Sequence, residues 1–118
     1  MVKLLSQILH GDLALRNVLL SEANVVKICD FGLSKNLYSN PNYQKVSDCP
    51  MPVKWLALET LNYRLMSLQS DVWSYGVVLW ELFSLARSPY PGLEPGELVR
   101  RLEAGYRMER PQFAPPEL

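Results

Sequence analysis

The sequence is poor in the residues that form disulfide frameworks and zinc sites. Its 118 residues include two cysteines, Cys29 and Cys49, and one histidine. The cysteines have no metal-site spacing and no histidine close by, so we interpret both as reduced thiols of a cytosolic domain. Because packing is the common fate of a free cysteine, Cys29 is predicted to be buried and inert.

Runs of one charge sign and long apolar runs are also missing. The 12 Lys and Arg residues balance the 12 Asp and Glu residues, and no basic cluster could follow a nucleic-acid backbone. No stretch of about 18 apolar residues could span a bilayer, and the N-terminus does not resemble a secretory signal. The composition is that of an ordinary globular domain. We therefore predict no nucleic-acid partner and no membrane segment within this chain.

Three acidic motifs stand out against this background. They are the segment His10–Asn17, which reads HGDLALRN, then Asp30–Gly32, which reads DFG, and Ala57–Glu59, which reads ALE. An Asp or Asn in a polar turn usually caps its own backbone. In this order and spacing, however, the motifs resemble those of protein kinases, with Gly11 where Arg is usual and Leu58 where Pro is usual.

Phosphoryl transfer explains why these residue types occur together. A kinase mainly positions its substrates and neutralises the charge of the phosphates, and carboxylate and amide oxygens suit the hard Mg²⁺ ion. The resemblance implies ATP and Mg²⁺ as cofactors, with Asn17 and Asp30 as metal and nucleotide ligands. It also implies that Asp12 accepts the proton of the substrate hydroxyl.

Two segments resemble protein-tyrosine kinases in particular. The end of the first motif is similar to the receptor tyrosine kinase catalytic loop, in which the residue matching Arg16 holds a tyrosine near the catalytic Asp. A Lys two residues after the Asp is usual in serine/threonine kinases, and this chain has Ala14 there. The PVKW segment is similar to the substrate-docking loop, which implies that Pro52, Lys54 and Trp55 contact the substrate.

The resemblance continues through the C-terminal lobe at Ser70–Gly76, Leu79–Glu81 and Pro89–Gly92. The segments Tyr38–Tyr43 and Gly105–Met108 are similar to the class of platelet-derived and vascular endothelial growth factor receptors and their invertebrate relatives such as torso. This class implies a single-pass receptor with its kinase domain on the cytoplasmic side of the plasma membrane. It also implies protein tyrosine substrates and receptor dimerisation.

The residues around the motifs predict a small ribbon and a long loop. Asn17–Leu20 and Val25–Ile28 are short apolar runs on either side of a polar turn, which predicts a pair of strands. We expect Asp12 and Asp30 at opposite ends of this ribbon. The segment Leu33–Met51 is polar and contains prolines, which predicts an exposed loop that resembles an activation loop.

Tyr38 and Tyr43 lie in this loop, where the family carries sites of activating phosphorylation. A phosphate adds close to two negative charges and can order a loop by pairing with cations. Because Gly11 cannot supply the usual Arg, Lys35 and Arg16 are the remaining candidate partners. The alternative is that both tyrosines are exposed aromatics without a regulatory role.

Two helices are predicted after the loop. Ser70–Leu85 has Ser70 and Asp71 at its start and apolar residues on almost every face, which predicts a helix buried all round. Pro95–Ala104 is predicted to form a second helix that is closed by Gly105. The three tryptophans are predicted to be core anchors: Trp55, Trp73 and Trp80.

Five residues of the motifs are expected to have structural roles. Two of them, Phe31 and Gly32, belong to the DFG motif, and His10 belongs to the catalytic loop. The resemblance implies that Glu59 makes a packing bridge and that Asp71 braces the backbone of the catalytic loop. Asp71 could also be a plain first-turn acid favoured by the helix dipole.

The fold class is therefore predicted to be α+β: a partial protein-kinase fold, mostly a helical C-terminal lobe, with a small β-ribbon next to the catalytic loop. We expect residues 1–118 to form one partial catalytic domain that is inactive alone, since the phosphate-clamping motifs and the last helices belong outside it. The alternative is a catalytically silent, truncated kinase that acts as a binding or decoy module. A longer sequence with an upstream glycine-rich loop would favour the enzyme, whereas a native start at Met1 would favour the module.

Overall fold

A computed structural model describes residues 8–29, 35–36, 43–44 and 52–118 of the chain. Within these residues, three α-helices accompany six short strands that pair into three two-stranded ribbons. Most of the strands precede the helices along the chain, so the fold class is α+β, as predicted. Among the described residues, no helix is both long enough and apolar enough to cross a membrane.

The longest ribbon is the predicted hairpin. Strand β2 (Val18–Leu20) pairs antiparallel with β3 (Val26–Ile28). Between them, Ser21 N donates a hydrogen bond to Val25 O at 2.9 Å. The prediction of two strands joined by a polar turn is confirmed.

The sequence predicts Asp12 and Asp30 at opposite ends of this ribbon. A hairpin returns the chain to the end at which it began, and Cys29 N donates a hydrogen bond to Asn17 O at 2.8 Å at that open end. Asp30 itself lies outside the described residues. The expected separation therefore stays a prediction, while Cys29, the residue before Asp30, adjoins the catalytic loop at Asn17.

The other two ribbons consist of two-residue strands. Strand β1 (Ile8–Leu9) pairs with β4 (Lys35–Asn36), and β5 (Tyr43–Gln44) pairs with β6 (Leu65–Met66). Strands β4 and β5 lie within Leu33–Met51, so the prediction of a loop is wrong at those four residues. The rest of that segment lies outside the described residues.

Three helices follow, of which two were predicted. Helix α1 (Leu58–Tyr63) was missed, α2 comprises Leu68–Phe83 and α3 comprises Pro95–Glu103. The limits of α3 agree with the prediction to within one residue. Helix α2 begins earlier than expected, because Ser67 caps it: Ser67 N donates to Ser70 Oγ at 2.8 Å, and Ser70 N donates to Ser67 Oγ at 3.4 Å.

Burial of α2 differs from the prediction of a helix buried all round. Three of its apolar side chains are exposed by 41% to 51%, namely Val72, Tyr75 and Leu82. Its buried positions include four polar or charged residues: Ser70, Asp71, Ser74 and Glu81. The side of α2 that faces the rest of the chain is thus partly polar, and the reason lies in the site described below.

The main hydrophobic core lies between α3 and the elements around it. Tyr90, Leu98 and Leu102 form its buried centre. Burial raises the pKa of the Tyr90 hydroxyl. The partly buried residues packed on this centre are Val53, Leu58, Leu61, Trp73, Leu93 and Met108. Of the three predicted core tryptophans, Trp73 packs here, whereas Trp55 and Trp80 make their contacts elsewhere.

Candidate active site

The catalytic loop is attached to the first turn of α2 through one buried carboxylate. Asp71 accepts hydrogen bonds from His10 N at 2.6 Å and from Gly11 N at 3.1 Å. Burial raises the pKa of Asp71, and the two backbone hydrogen bonds oppose that rise. These are the backbone contacts that the sequence analysis predicts for this residue. Between them, Gly11 adopts a left-handed conformation with φ of 83°.

The ring of His10 connects the catalytic loop to the end of β3. Its Nδ1 accepts a hydrogen bond from Asp12 N at 3.1 Å, and its Nε2 lies 2.9 Å from Cys29 O. With Nδ1 used as an acceptor, the neutral ring carries its proton on Nε2, which donates to that carbonyl. Cys29 is partly exposed, so the prediction of a buried thiol is wrong.

Two neighbouring side chains orient the Asp12 carboxylate. Arg16 Nη2 donates to Asp12 Oδ1 at 2.6 Å, and Asn17 Nδ2 donates to Asp12 Oδ2 at 3.3 Å and to its carbonyl oxygen at 2.8 Å. The Asp12 side chain is 14% exposed and that of Arg16 is 47% exposed. The carboxylate is thus held in place and still open to solvent. Because Asn17 Nδ2 binds Asp12, its Oδ1 is the atom that could bind a cation.

The predicted docking segment lies against this loop through Trp55. Residues Val53–Trp55 form one turn of 3₁₀ helix, and the Arg16 guanidinium lies 4.8 Å from the centroid of the Trp55 ring. A cation over an indole is attracted by its π electrons. Arg16 therefore connects the carboxylate of the catalytic loop with the docking segment.

Two residues of α2, Ser74 and Glu81, bind Trp55, and the sequence motifs predicted no role for either. Trp55 Nε1 donates to Glu81 Oε2 at 2.9 Å, and Ser74 Oγ donates to Trp55 O at 2.6 Å. The same Glu81 oxygen accepts a hydrogen bond from Leu15 N at 2.8 Å. The only sequence signal was the acidic residue in an otherwise apolar Leu79–Glu81 segment.

The remaining predicted residues are placed only in part. Asp30, Phe31, Gly32 and Tyr38 lie outside the described residues, and Tyr43 is described for its backbone alone. Pro52, Lys54 and Glu59 are each partly buried, and no described residue pairs with the Glu59 carboxylate. In the ranges described, no cluster of three His, Cys, Asp or Glu side chains could hold a metal.

The hairpin next to the catalytic loop presents apolar side chains to solvent. Leu19, Leu20 and Val26 are 54%, 68% and 64% exposed, and Ile28 is 49% exposed. A ribbon of two short strands is marginal without a covering layer. In the strand register, Leu20, Val26 and Ile28 share one face of the hairpin and Leu19 lies on the other.

Comparison with known proteins identifies the family. The profile described as protein tyrosine and serine/threonine kinase matches residues 4–118. The chain belongs to this kinase family. The α+β arrangement described above is therefore a partial kinase fold.

Several curated relatives are receptors of one class. The chain is 54% identical over 111 residues to vascular endothelial growth factor receptors 2 and 1 of Mus musculus, and 53% identical to receptor 1 of Homo sapiens. Each alignment covers 93% of this chain and 8% of the relative. The predicted resemblance to the platelet-derived and vascular endothelial growth factor receptor class is confirmed. The chain spans about 8% of the length of these relatives.

Proposed function

We propose that this chain carries the catalytic loop and docking segment of a receptor-type protein-tyrosine kinase, which transfers the γ-phosphate of ATP to tyrosine in proteins. The observation that carries the proposal is the contact series from Asp12 through Arg16 to Trp55. It brings the predicted base and the predicted docking residue to either side of one arginine. A tyrosine hydroxyl placed next to Arg16 would find an acceptor on Asp12.

Each residue of this series has a defined task. Asp12, oriented by Arg16 and Asn17, accepts the proton of the tyrosine hydroxyl as the bond to phosphorus forms. Arg16, stacked on Trp55, lies beside the position proposed for the incoming aromatic ring. The amide oxygen of Asn17 and the carboxylate of Asp30 fit Mg²⁺, which takes few protein ligands besides phosphate and water. When bound, the ion neutralises charge on the phosphates of ATP.

The two departures from the kinase motifs leave the contacts at these positions intact. Gly11 keeps the backbone hydrogen bond to Asp71, because an N–H group makes it and no side chain is needed. Leu58 packs on the core cluster around Leu98. Neither substitution therefore removes a group that the proposed chemistry uses.

The relatives suggest the setting of the reaction. They are vascular endothelial growth factor receptors, and we extend that setting to this chain. The kinase domain then lies on the cytoplasmic side of the plasma membrane, acts on tyrosines of protein substrates and depends on receptor dimerisation.

The test uses a hybrid domain, in which residues 8–118 replace the matching segment of the kinase domain of the Mus musculus receptor 2. Asp12→Asn should lower kcat by roughly two to four orders of magnitude with little change in ATP affinity, because a general base acts only as the transition state forms. Asp30→Asn should instead weaken Mg²⁺-dependent ATP binding. An unmutated hybrid that folds and binds ATP but phosphorylates no tyrosine would refute the proposal that this chain belongs to an active kinase.

A further inference from the structure

We propose that Glu81 is a positioning residue, which holds the catalytic loop and the docking segment in one fixed register and so sets the affinity for tyrosine substrates. The inference rests on the proposed function and adds a residue to which the sequence motifs assign no role. Its basis is that a single oxygen, Oε2, accepts hydrogen bonds from Leu15 N and Trp55 Nε1.

Because Glu81 is buried, its hydrogen bonds depend on the exact positions of both donor segments. Glu81 is 8% exposed, and a buried carboxylate is unfavourable unless donors satisfy it. Its two donors come from segments that lie 40 residues apart in sequence, at positions 15 and 55. Because one oxygen serves both donors, a shift of either segment would leave a buried negative charge with one donor fewer.

Arg16 connects Trp55, which Glu81 holds, to the proposed proton acceptor Asp12. Glu81 binds Trp55 at the indole Nε1, and Ser74 binds its backbone carbonyl. The indole ring held in this way lies 4.8 Å from the Arg16 guanidinium. Arg16 in turn donates to Asp12 at 2.6 Å. The Glu81 carboxylate accepts hydrogen bonds from Leu15 and Trp55 and not from Asp12, so it acts on Asp12 only through the position of these neighbours.

Two substitutions separate the acceptor from the shape of the side chain. Glu81→Met keeps a similar length and removes both hydrogen bonds, whereas Glu81→Gln keeps one oxygen that can still accept them. Glu103→Met is the control, because Glu103 is an exposed glutamate whose carboxylate accepts from Asn62 Nδ2 at 3.0 Å, away from the site.

In the hybrid domain, Glu81→Met should raise KM for a tyrosine peptide by roughly ten-fold, since hydrogen bonds to a charged group of this strength are being removed. KM for ATP should stay the same, and Glu81→Gln should recover most of the loss. A merely structural role would lower the active fraction of the enzyme and leave both KM values unchanged. That result, or an equal effect of Glu103→Met, would overturn the proposal.

A second measurement needs no activity. In the ¹⁵N-labelled 118-residue chain, with the indole signal of Trp55 assigned through Trp55→Phe, Glu81→Met should speed hydrogen exchange at that indole by roughly ten-fold or more. Exchange that is unchanged would refute the contact. If the unmutated hybrid has no kinase activity, the proposed function fails, and the indole measurement alone then decides whether Glu81 fixes the register.

Discussion

The conformation of Gly11 leads to a sharp prediction about stability. Its φ of 83° lies in the left-handed region, and a residue with a Cβ loses about 1–2 kcal/mol there. Gly11→Ala also restricts the unfolded chain, which returns about 0.4–1 kcal/mol. The expected net loss in the free energy of unfolding is therefore about 1 kcal/mol, and more if the hydrogen bond from Gly11 N to Asp71 lengthens.

The chain supplies a matched control in Gly76. This residue lies inside α2, has no positive φ, and a Cβ added there would meet no atom within 4 Å. Gly76→Ala should stabilise the chain by about 0.8–1 kcal/mol through helix propensity. The two alanine variants should thus differ by about 2 kcal/mol, with opposite signs relative to the parent chain.

Urea unfolding followed by circular dichroism measures this difference. With a slope of about 1–3 kcal/mol per molar urea, the midpoints of the two variants should be separated by roughly 1 M. If Gly11→Ala were as stable as Gly76→Ala, the catalytic loop would not hold a left-handed residue at this position. The anchoring of the loop by Asp71 as described would then be wrong.

Three further predictions follow from the same structure. Burial raises the folded-state pKa of Asp71, so its contribution to stability is fully present below the ordinary Asp pKa of about 3.9 and declines as pH rises through the raised value. The difference in free energy of unfolding between the parent chain and Asp71→Asn, measured with urea from pH 3 to 8, should therefore shrink as pH rises. A difference that grows with pH would contradict this prediction. The exposed hairpin should promote self-association, so the double variant Leu20→Ser, Val26→Ser should lower the sedimentation coefficient at low micromolar concentration. A parent chain that is already monomeric under these conditions would contradict the prediction. In the hybrid, turnover should depend little on phosphorylation of Tyr43, and Gly11→Arg should introduce a dependence of about ten-fold or more; a large ratio of phosphorylated to Tyr43→Phe turnover with Gly11 in place would show that another cation binds the phosphate.

Local sequence patterns were sufficient to predict the β2–β3 hairpin and helix α3. The hairpin follows from two apolar runs around a polar turn, and α3 follows from Pro95 at its start and Gly105 beyond its end. Helix α1 has six residues, too few to show a periodic pattern, and two-residue strands such as β1 show none. These elements exist because of partners that are distant in sequence.

The buried side of α2 was mispredicted for a related reason. Hydrophobicity alone favours the burial of Val72 and Leu82, yet both are exposed, while Asp71 and Glu81 are buried. Each buried carboxylate accepts hydrogen bonds from backbone N–H groups that lie 60 or more residues away in sequence. No window along the helix contains these donors. The contact of Asp71 was predicted from the family resemblance, whereas the burial of Glu81 could be recognised only once the catalytic loop was placed against α2.

This arrangement explains how the chain can depart from its family at Gly11 and retain the geometry around Asp12. The residue at position 11 is bound to α2 through its backbone, so replacing the usual Arg removes a cation and leaves the anchor to Asp71 in place. Orientation of Asp12 depends instead on Arg16 and Asn17. The substitution therefore acts on whatever contacts a side chain at position 11 would make, above all with a phosphorylated loop, and leaves the proposed proton acceptor as it was.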